Sequence, residues 1–275
     1  MSTNLKARIL SAIAALLIIF GVYFFFSTTG LIVFSCIVVL IGCSEYFTIA
    51  LSQKFSNSHF FRIFFLICTT IPLLSLKFPQ HTQGILTLSF ILWFLGLIFS
   101  HINVSDQQNL FQKINLGTLG LAYTAALPLY SIKILNDFDI DFGMKAFFGL
   151  LVIIFSGDIF AYITGKLFGK RKLAPHISPK KTKEGSFGGL VASASFSTLY
   201  FSLWLGVINP LPAFLLGVLC GISAQAGDLF ESVIKRSNSV KDSGRIMPGH
   251  GGVLDRLDGV YFAAPILFIY FDLLY

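Results

Sequence analysis

Charge is scarce in this chain: Asp, Glu, Lys and Arg make up 12% of its 275 residues, against 55% apolar residues, 31 Phe and a mean hydropathy of +0.79. So little polar surface cannot coat a water-soluble globule of this size, which makes the bilayer its solvent. Cysteine is sparse as well. Cys36, Cys43, Cys68 and Cys220 lie inside apolar runs without CxxC spacing, so packing thiols are expected rather than a disulfide or a metal set. A GxxxxGK[ST] loop is absent, which excludes a Walker A site. No small-x-small cleavage site follows the first apolar run, and that run is therefore expected to stay as a helix. No basic face is interleaved with exposed aromatics, which argues against nucleic acid as a partner. No internal repeat and no low-complexity linker divides the sequence. One membrane domain over 1–275 is expected, with scaffold helices over 1–140 and a catalytic half over 145–275.

What is present is a series of apolar runs. Crossing about 30 Å of hydrocarbon takes roughly 17 to 25 residues. Nine runs qualify, near 8–26, 30–51, 61–78, 84–100, 116–135, 145–165, 189–207, 211–229 and 258–274, which predicts an all-α polytopic membrane protein. With the N-terminus inside, seventeen Lys and Arg fall on the inner side and only Lys77, Lys133 and Lys145 on the outer side. That asymmetry predicts a cytoplasmic N-terminus, polar loops on the cytoplasmic face of the plasma (inner) membrane, and a C-terminus on the outer side. The net charge of +7 is thereby concentrated on one face, where it attracts anionic headgroups or a soluble polyanion.

Chemistry is concentrated in the second half. The inner loops 166–188 and 230–257 flank a hairpin with a tight turn at "NPLP" and return to one membrane face. Carboxylates within apolar runs are costly and usually face a polar interior, which singles out Glu45 and Asp158. For Glu45, pairing with a neighbouring helix is the simpler role. Asp158 stands among Ala161, Tyr162, Gly165 and Gly169, small residues that permit close approach, and it reads as part of a substrate site. In "HISPKKTKEGSFGG", residues 176–189, hydroxyls at Ser178, Thr182 and Ser186, cations at Lys180, Lys181 and Lys183, and glycines at 185, 188 and 189 suit a triphosphate at the start of a helix. In "AQAGDLFESVIKR", residues 224–236, Asp228 and Glu231 share a helix face, with Lys235 positioned for an i, i+4 pair with Glu231. An acid at a helix C-terminus opposes the macrodipole, a penalty that a bound cation reverses. Asp255 and Asp258 are again three apart, following the glycines around His250. Hard divalent cations such as Mg²⁺ take oxygen ligands of this kind together with substrate phosphates. His250 reads as a phosphate donor or a base, with a structural role as the plainer alternative.

The stretch "SVIKRSNSVKDSGRIMPGHGGVLDRLD", residues 232–258, resembles the signature of the phosphatidate cytidylyltransferases, the CDP-diacylglycerol synthases: S-x-x-K-R-x4-K-D followed by H-G-G-x-x-D-R-x-D. Met247 stands where Leu, Ile or Phe is expected, a volume-conserving departure. "DIFAYITGKLFGKRK" and "SPKKTKEG" resemble upstream elements of the same family, so the likeness covers about 155–260. It implies that CTP and phosphatidic acid become CDP-diacylglycerol and pyrophosphate at the cytoplasmic face. It also implies membrane lipids as surroundings and a homodimer. By similarity, Asp228 and Asp255 are the leading Mg²⁺ ligands, with Asp258 and Glu231 in support, and room is left for a second, monovalent cation. Ser178, Lys180, Lys181, Thr182 and Glu184 match the element around the nucleotide. Lys235, Arg236, Lys241, Arg245 and Arg256 are candidates for lipid phosphate or pyrophosphate, Lys241 and Arg256 together with His250 as part of the catalytic set. The rival readings are a polytopic CTP-dependent lipid kinase, a CDP-alcohol phosphotransferase, whose DGxxAR continuation is missing after Asp258, and a cation-coupled transporter lined by Glu45 and Asp158.

Overall fold

The computed structural model describes residues 3–52, 54–55, 59–100, 106–246 and 251–274. His250, with Met247 and Gly249, lies outside the described residues. Within them the protein is helical apart from one small hairpin. The chain falls into two compact units, Met1–Asp137 with Asn238–Arg256, and Phe138–Ser237 with Leu257–Tyr275. The segment 238–256, expected with the second half, belongs to the first unit.

The first unit holds α1 (Thr3–Tyr46), a π-helical turn (Phe47–Leu51), α2 (His59–Thr70), 3-10 turns at Ile71–Leu76 and Pro79–His81, α3 (Thr82–Ser100), α4 (Gln107–Leu121), a second π turn (Ala122–Ala126) and α5 (Leu127–Asn136). Asp106 caps α4, its carboxylate accepting from the Asn109 N–H at 3.0 Å. The core is aromatic. Trp93 packs on Phe64 and Phe65 with ring centroids 5.7 and 5.5 Å apart, and Tyr46, Phe47 and Phe65 are fully buried beside them. Trp93 lies directly against Gly117 of α4, where any side chain would meet the indole.

The second unit holds α6 (Ile140–Phe168), strands β1 (Lys172–Ala174) and β2 (Ser178–Thr182), α7 (Lys183–Ser197) with a π-helical continuation (Thr198–Trp204), α8 (Pro210–Ser237), and α9 (Leu254–Asp272), which joins this unit at Leu257. Pro210 at the start of α8 supplies a preset φ where no N–H partner is needed. Helices α6 and α7 approach through small residues. A Cβ at Gly189 would come within 2.9 Å of Ala161 Cβ and of the Gly157 carbonyl oxygen, and one at Gly185 within 2.7 Å of the Ala161 oxygen. The glycines at 185, 188 and 189, expected to turn backbone amides towards an anion, are instead the face of α7 that packs on α6.

Two expectations are corrected. Among the described residues six segments, not nine, are long and apolar enough to cross a membrane: Leu17–Leu51, His59–Leu76, Pro79–Ser100, Gln107–Asn136, Ile140–Phe168 and Pro210–Ser237. The runs at 8–26 and 30–51 follow one another in α1 as two helical pieces across a kink at Ser27, whose φ of 57° and ψ of −157° are not helical. The run at 189–207 lies in α7 and its π continuation, where Ser193, Ser195, Ser197, Thr198 and Ser202 dilute its apolar character. That at 258–274 begins within a helix that also carries Asp255 and Arg256. The second correction is the antiparallel β1–β2 pair, Lys172 opposite Thr182 and Ala174 opposite Ser178, where an irregular loop was expected. Large apolar side chains that face outwards, Phe24 at 82% and Trp204 at 75% exposure among them, have lipid as their natural neighbour.

Replacing Gly189 by Leu is expected to force α6 and α7 apart and to destabilise the fold by roughly 1–3 kcal/mol or more. Gly84→Ala, where no atom stands within 4 Å of the new Cβ, serves as the control. Thermal unfolding of the detergent-purified protein, with Gly189→Leu melting well below Gly84→Ala, is the measurement.

Candidate active site

In the second unit, three carboxylates gather where α8 meets the start of α9. Glu231 and Asp258 are buried, and Asp228 is partly open. Asp258 stands within electrostatic reach of Asp228 first, then Glu231 and Asp158. Gly227 makes this approach possible, since its Cα lies against the Asp258 backbone. Cations balance the acids: Lys181 of β2 forms an ion pair with Asp228, and Lys235 reaches Glu231 at 2.6 Å. The expected i, i+4 pair is therefore present, and Lys181 ties the basic hairpin to α8. Among the described residues, no three Asp, Glu, His or Cys side chains are already placed as a metal set. Every donor in the cluster is an oxygen, and its negative charge is met by the ammonium groups of Lys181 and Lys235.

The hairpin is held by its own polar groups. Thr182 caps α7, its hydroxyl accepting from the Gly185 N–H at 3.1 Å, so this expected nucleotide contact is engaged in helix capping. Glu184 turns back and accepts from the N–H groups of Lys170 and Arg171 at 3.1 and 3.2 Å. Its carboxyl is held below the usual carboxylate range, first by its own N–H, then by those of Lys170 and Arg171, with the Arg171 guanidinium adding to them. Ser178 is half-buried and Lys180 is exposed on β2. Ser186 and Gln225, a residue the motifs did not single out, clasp α7 to α8: the Ser186 hydroxyl donates to the Gln225 carbonyl, and the Gln225 amide returns a bond to the Ser186 oxygen at 2.9 Å. Asp158 is exposed on α6, and Arg236 is exposed at the end of α8.

The signature loop belongs to the first unit, where it folds around two carboxylates. Asp255 Oδ2 accepts from the Ser243 N–H at 2.7 Å and the Gly252 N–H at 2.8 Å, and the Ser243 hydroxyl stands 2.9 Å away. Gly251 turns the chain with a φ of +87°, a conformation that favours glycine, and presses against the same oxygen. Glu45 of α1 is the second carboxylate. It accepts from the Val253 N–H at 3.1 Å and the Leu254 N–H at 2.9 Å, and lies 3.0 Å from the Ser243 hydroxyl. Lys241, Arg245 and Arg256 are exposed around this loop. The structure thus gathers Asp228, Glu231, Asp258, Lys181 and Lys235 in one unit, and places Asp255 with Glu45 and Ser243 in the other. Ser243 was visible as part of the signature but had not been singled out; its burial and two carboxylate neighbours mark it.

Helices with large apolar side chains facing outwards, which carry a cluster of acids, two paired lysines and a basic hairpin, define an integral membrane protein with a polar site. The chain belongs to the cytidylyltransferase family, which it matches over residues 6–274, and it is a nucleotidyltransferase. It is 32% identical to the phosphatidate cytidylyltransferase of Thermotoga maritima, covering 98% of this chain and 97% of that one. It is also 32% identical to that of Bacillus subtilis, over 96% and 97% of the two chains, and 33% identical to that of Pseudomonas aeruginosa, over 95% of each.

Because its carboxyl value is lowered in the fold, Glu184 contributes fully above the ordinary carboxylate range and loses that contribution as pH falls through the folded value. Glu184→Gln is therefore expected to speed backbone hydrogen exchange over residues 170–182 at pH 7. Reduced sensitivity of that segment to acid, relative to the parent protein, is the accompanying sign.

Proposed function

We propose that the protein is a phosphatidate cytidylyltransferase that converts CTP and phosphatidic acid into CDP-diacylglycerol and pyrophosphate at the cytoplasmic face of the plasma membrane. The observation that carries this reading is the coincidence of two independent features. One is the likeness, over nearly the whole chain, to relatives that bear that name. The other is the carboxylate cluster braced by Lys181 and Lys235 at the end of lipid-facing helices.

A phosphate oxygen of phosphatidic acid attacks the α-phosphorus of CTP. The new bond is the P–O bond of the CDP-lipid, and the bond from the α-phosphorus to the bridging oxygen breaks, with pyrophosphate carrying away the electron pair. The nucleophile is already an anion, so no strong general base is required. The task is to bring two anions together and to hold the leaving group, which positioning and cationic charge accomplish. Lys180 and Lys181 on β2 meet the nucleotide phosphates, and the cations after α8, Lys235 and Arg236, together with Lys241, Arg245 and Arg256, serve lipid phosphate or pyrophosphate. Asp228, Glu231 and Asp258 would hold Mg²⁺, with Asp255 entering this reading through the signature alone. Bound there, Mg²⁺ would offset the charge of the phosphates and of the departing pyrophosphate. Apolar flanks let the acyl chains stay in lipid while the headgroup meets soluble CTP. The excess of inner cations supports a cytoplasmic N-terminus and site, and the family likeness supports a homodimer.

The test is purified protein with CTP labelled in the α-phosphate, phosphatidic acid and Mg²⁺. Label entering the organic phase with release of pyrophosphate is expected. Release of CDP with a phosphorylated lipid would make the protein a lipid kinase, and vesicle uptake without either product a transporter. In the same assay Lys181→Ala is expected to raise the KM for CTP about tenfold or more, and that for phosphatidic acid by less. The reverse order would exchange the roles of the two basic groups.

A further inference from the structure

The first 140 residues offer little overt chemistry, yet one of their side chains reaches the signature. Glu45 sits in α1 just before the helix widens into the π turn Phe47–Leu51, and it is buried to 7% exposure among largely apolar helices. Its surroundings explain why it is tolerated. Both oxygens accept hydrogen bonds at the start of α9: Oε1 from the Val253 N–H, Oε2 from the Leu254 N–H, with the Ser243 hydroxyl 3.0 Å from Oε2. The first N–H groups of a helix have no partners within it and carry partial positive charge. A carboxylate fits this position, being an acceptor at both oxygens, whereas an amide would turn a donor towards donors.

Three further observations make the contact a built one. The Ser243 hydroxyl has one proton and stands between two carboxylates, 3.0 Å from Glu45 and 2.9 Å from Asp255, while its oxygen accepts from the Asp255 N–H at 3.2 Å. Glu45, Ser243 and Asp255 therefore form one continuous chain. Gly252 and Gly244 leave the space that Glu45 fills, since a Cβ at either would collide with its carboxylate. The part of α1 that carries Glu45 is itself pinned: the Tyr46 hydroxyl donates to the Leu116 oxygen at 2.7 Å, and the Cys43 thiol to the Thr124 oxygen at 3.1 Å. The carboxylate thus projects from a fixed support.

We infer that Glu45, acting through Ser243 and the first N–H groups of α9, is a positioning residue that sets the placement of Asp255 for nucleotidyl transfer. It touches no substrate in this scheme. The inference rests on the reading that the signature containing Asp255 serves the reaction. A small misplacement of a reacting constellation lowers turnover by about 100-fold without abolishing binding, and that separation is the signature of the role.

The experiment uses the full-length protein in detergent, comparing the parent with Glu45→Gln, Glu45→Asp, Ser243→Ala and the Glu45→Gln/Ser243→Ala pair. Glu45→Gln is expected to lower kcat by about 100-fold with both KM values within about threefold, and Glu45→Asp to recover part of the loss. Hydrogen exchange should rise across 243–255 in Glu45→Gln and stay unchanged in α5. Ser243→Ala should lower kcat by about tenfold, and the double variant should be no worse than Glu45→Gln alone, because both act on one chain of contacts. Parent-like kcat and exchange in Glu45→Gln would overturn the inference, as would a loss confined to KM. If Glu45→Gln does not fold, Ser243→Ala decides: parent-like turnover and exchange there overturn it equally. A parent protein that forms no CDP-lipid would instead refute the proposed function, and the exchange data would still decide the role of Glu45.

Discussion

The beginning of α9 is gripped by a carboxylate from α1, and the shape of the signature loop depends on that grip. Unpaired N–H groups at a helix start and an acid buried in an apolar core are each unfavourable, and here each resolves the other. The glycines at 244, 251 and 252 follow from it. Two of them make room for Glu45, and the third adopts the left-handed turn that brings the Gly252 N–H onto Asp255.

A different balance governs the second unit. Three acids within mutual reach would repel one another strongly in a medium of low dielectric, and two lysines offset that repulsion. Lys181 can do so because the C-terminal end of β2 is held by the Thr182 cap, and Glu184 just beyond it accepts from the backbone of Lys170 and Arg171 ahead of β1. The close packing of α6 on α7 carries the hairpin to its place. Small residues thus govern the electrostatics indirectly, by allowing three helices to approach closely enough for charged side chains to meet.

Much of this could be read from the residues. Hydropathy identified an all-helical membrane protein, and the i, i+4 relation of Glu231 and Lys235 is present as anticipated. Charge spacing also placed Asp228 beside a basic loop, though not which lysine would meet it. Span counting departs from the structure where an apolar run is diluted or cut into by polar residues: Ser and Thr are frequent through α7 and its π continuation, and α9 takes in Asp255 and Arg256 ahead of the apolar run. The β1–β2 hairpin was missed because its strands are short and polar, without the alternation that marks a strand. The glycines of α7 read as an anion-binding turn, because sequence cannot tell a residue kept small for a ligand from one kept small for a neighbouring helix. Glu45 was recognised as unusual and read as a paired acid, but its partner, some 200 positions away, could be found only in three dimensions.

That separation bears on the order in which the protein is made. Ribosomes deliver α1 to α5 well before residues 243–254 exist, so in the nascent chain Glu45 is made long before its hydrogen-bond donors. A chain that stops short of residue 253 keeps the six long apolar segments found among the described residues but leaves Glu45 without the N–H groups it accepts from.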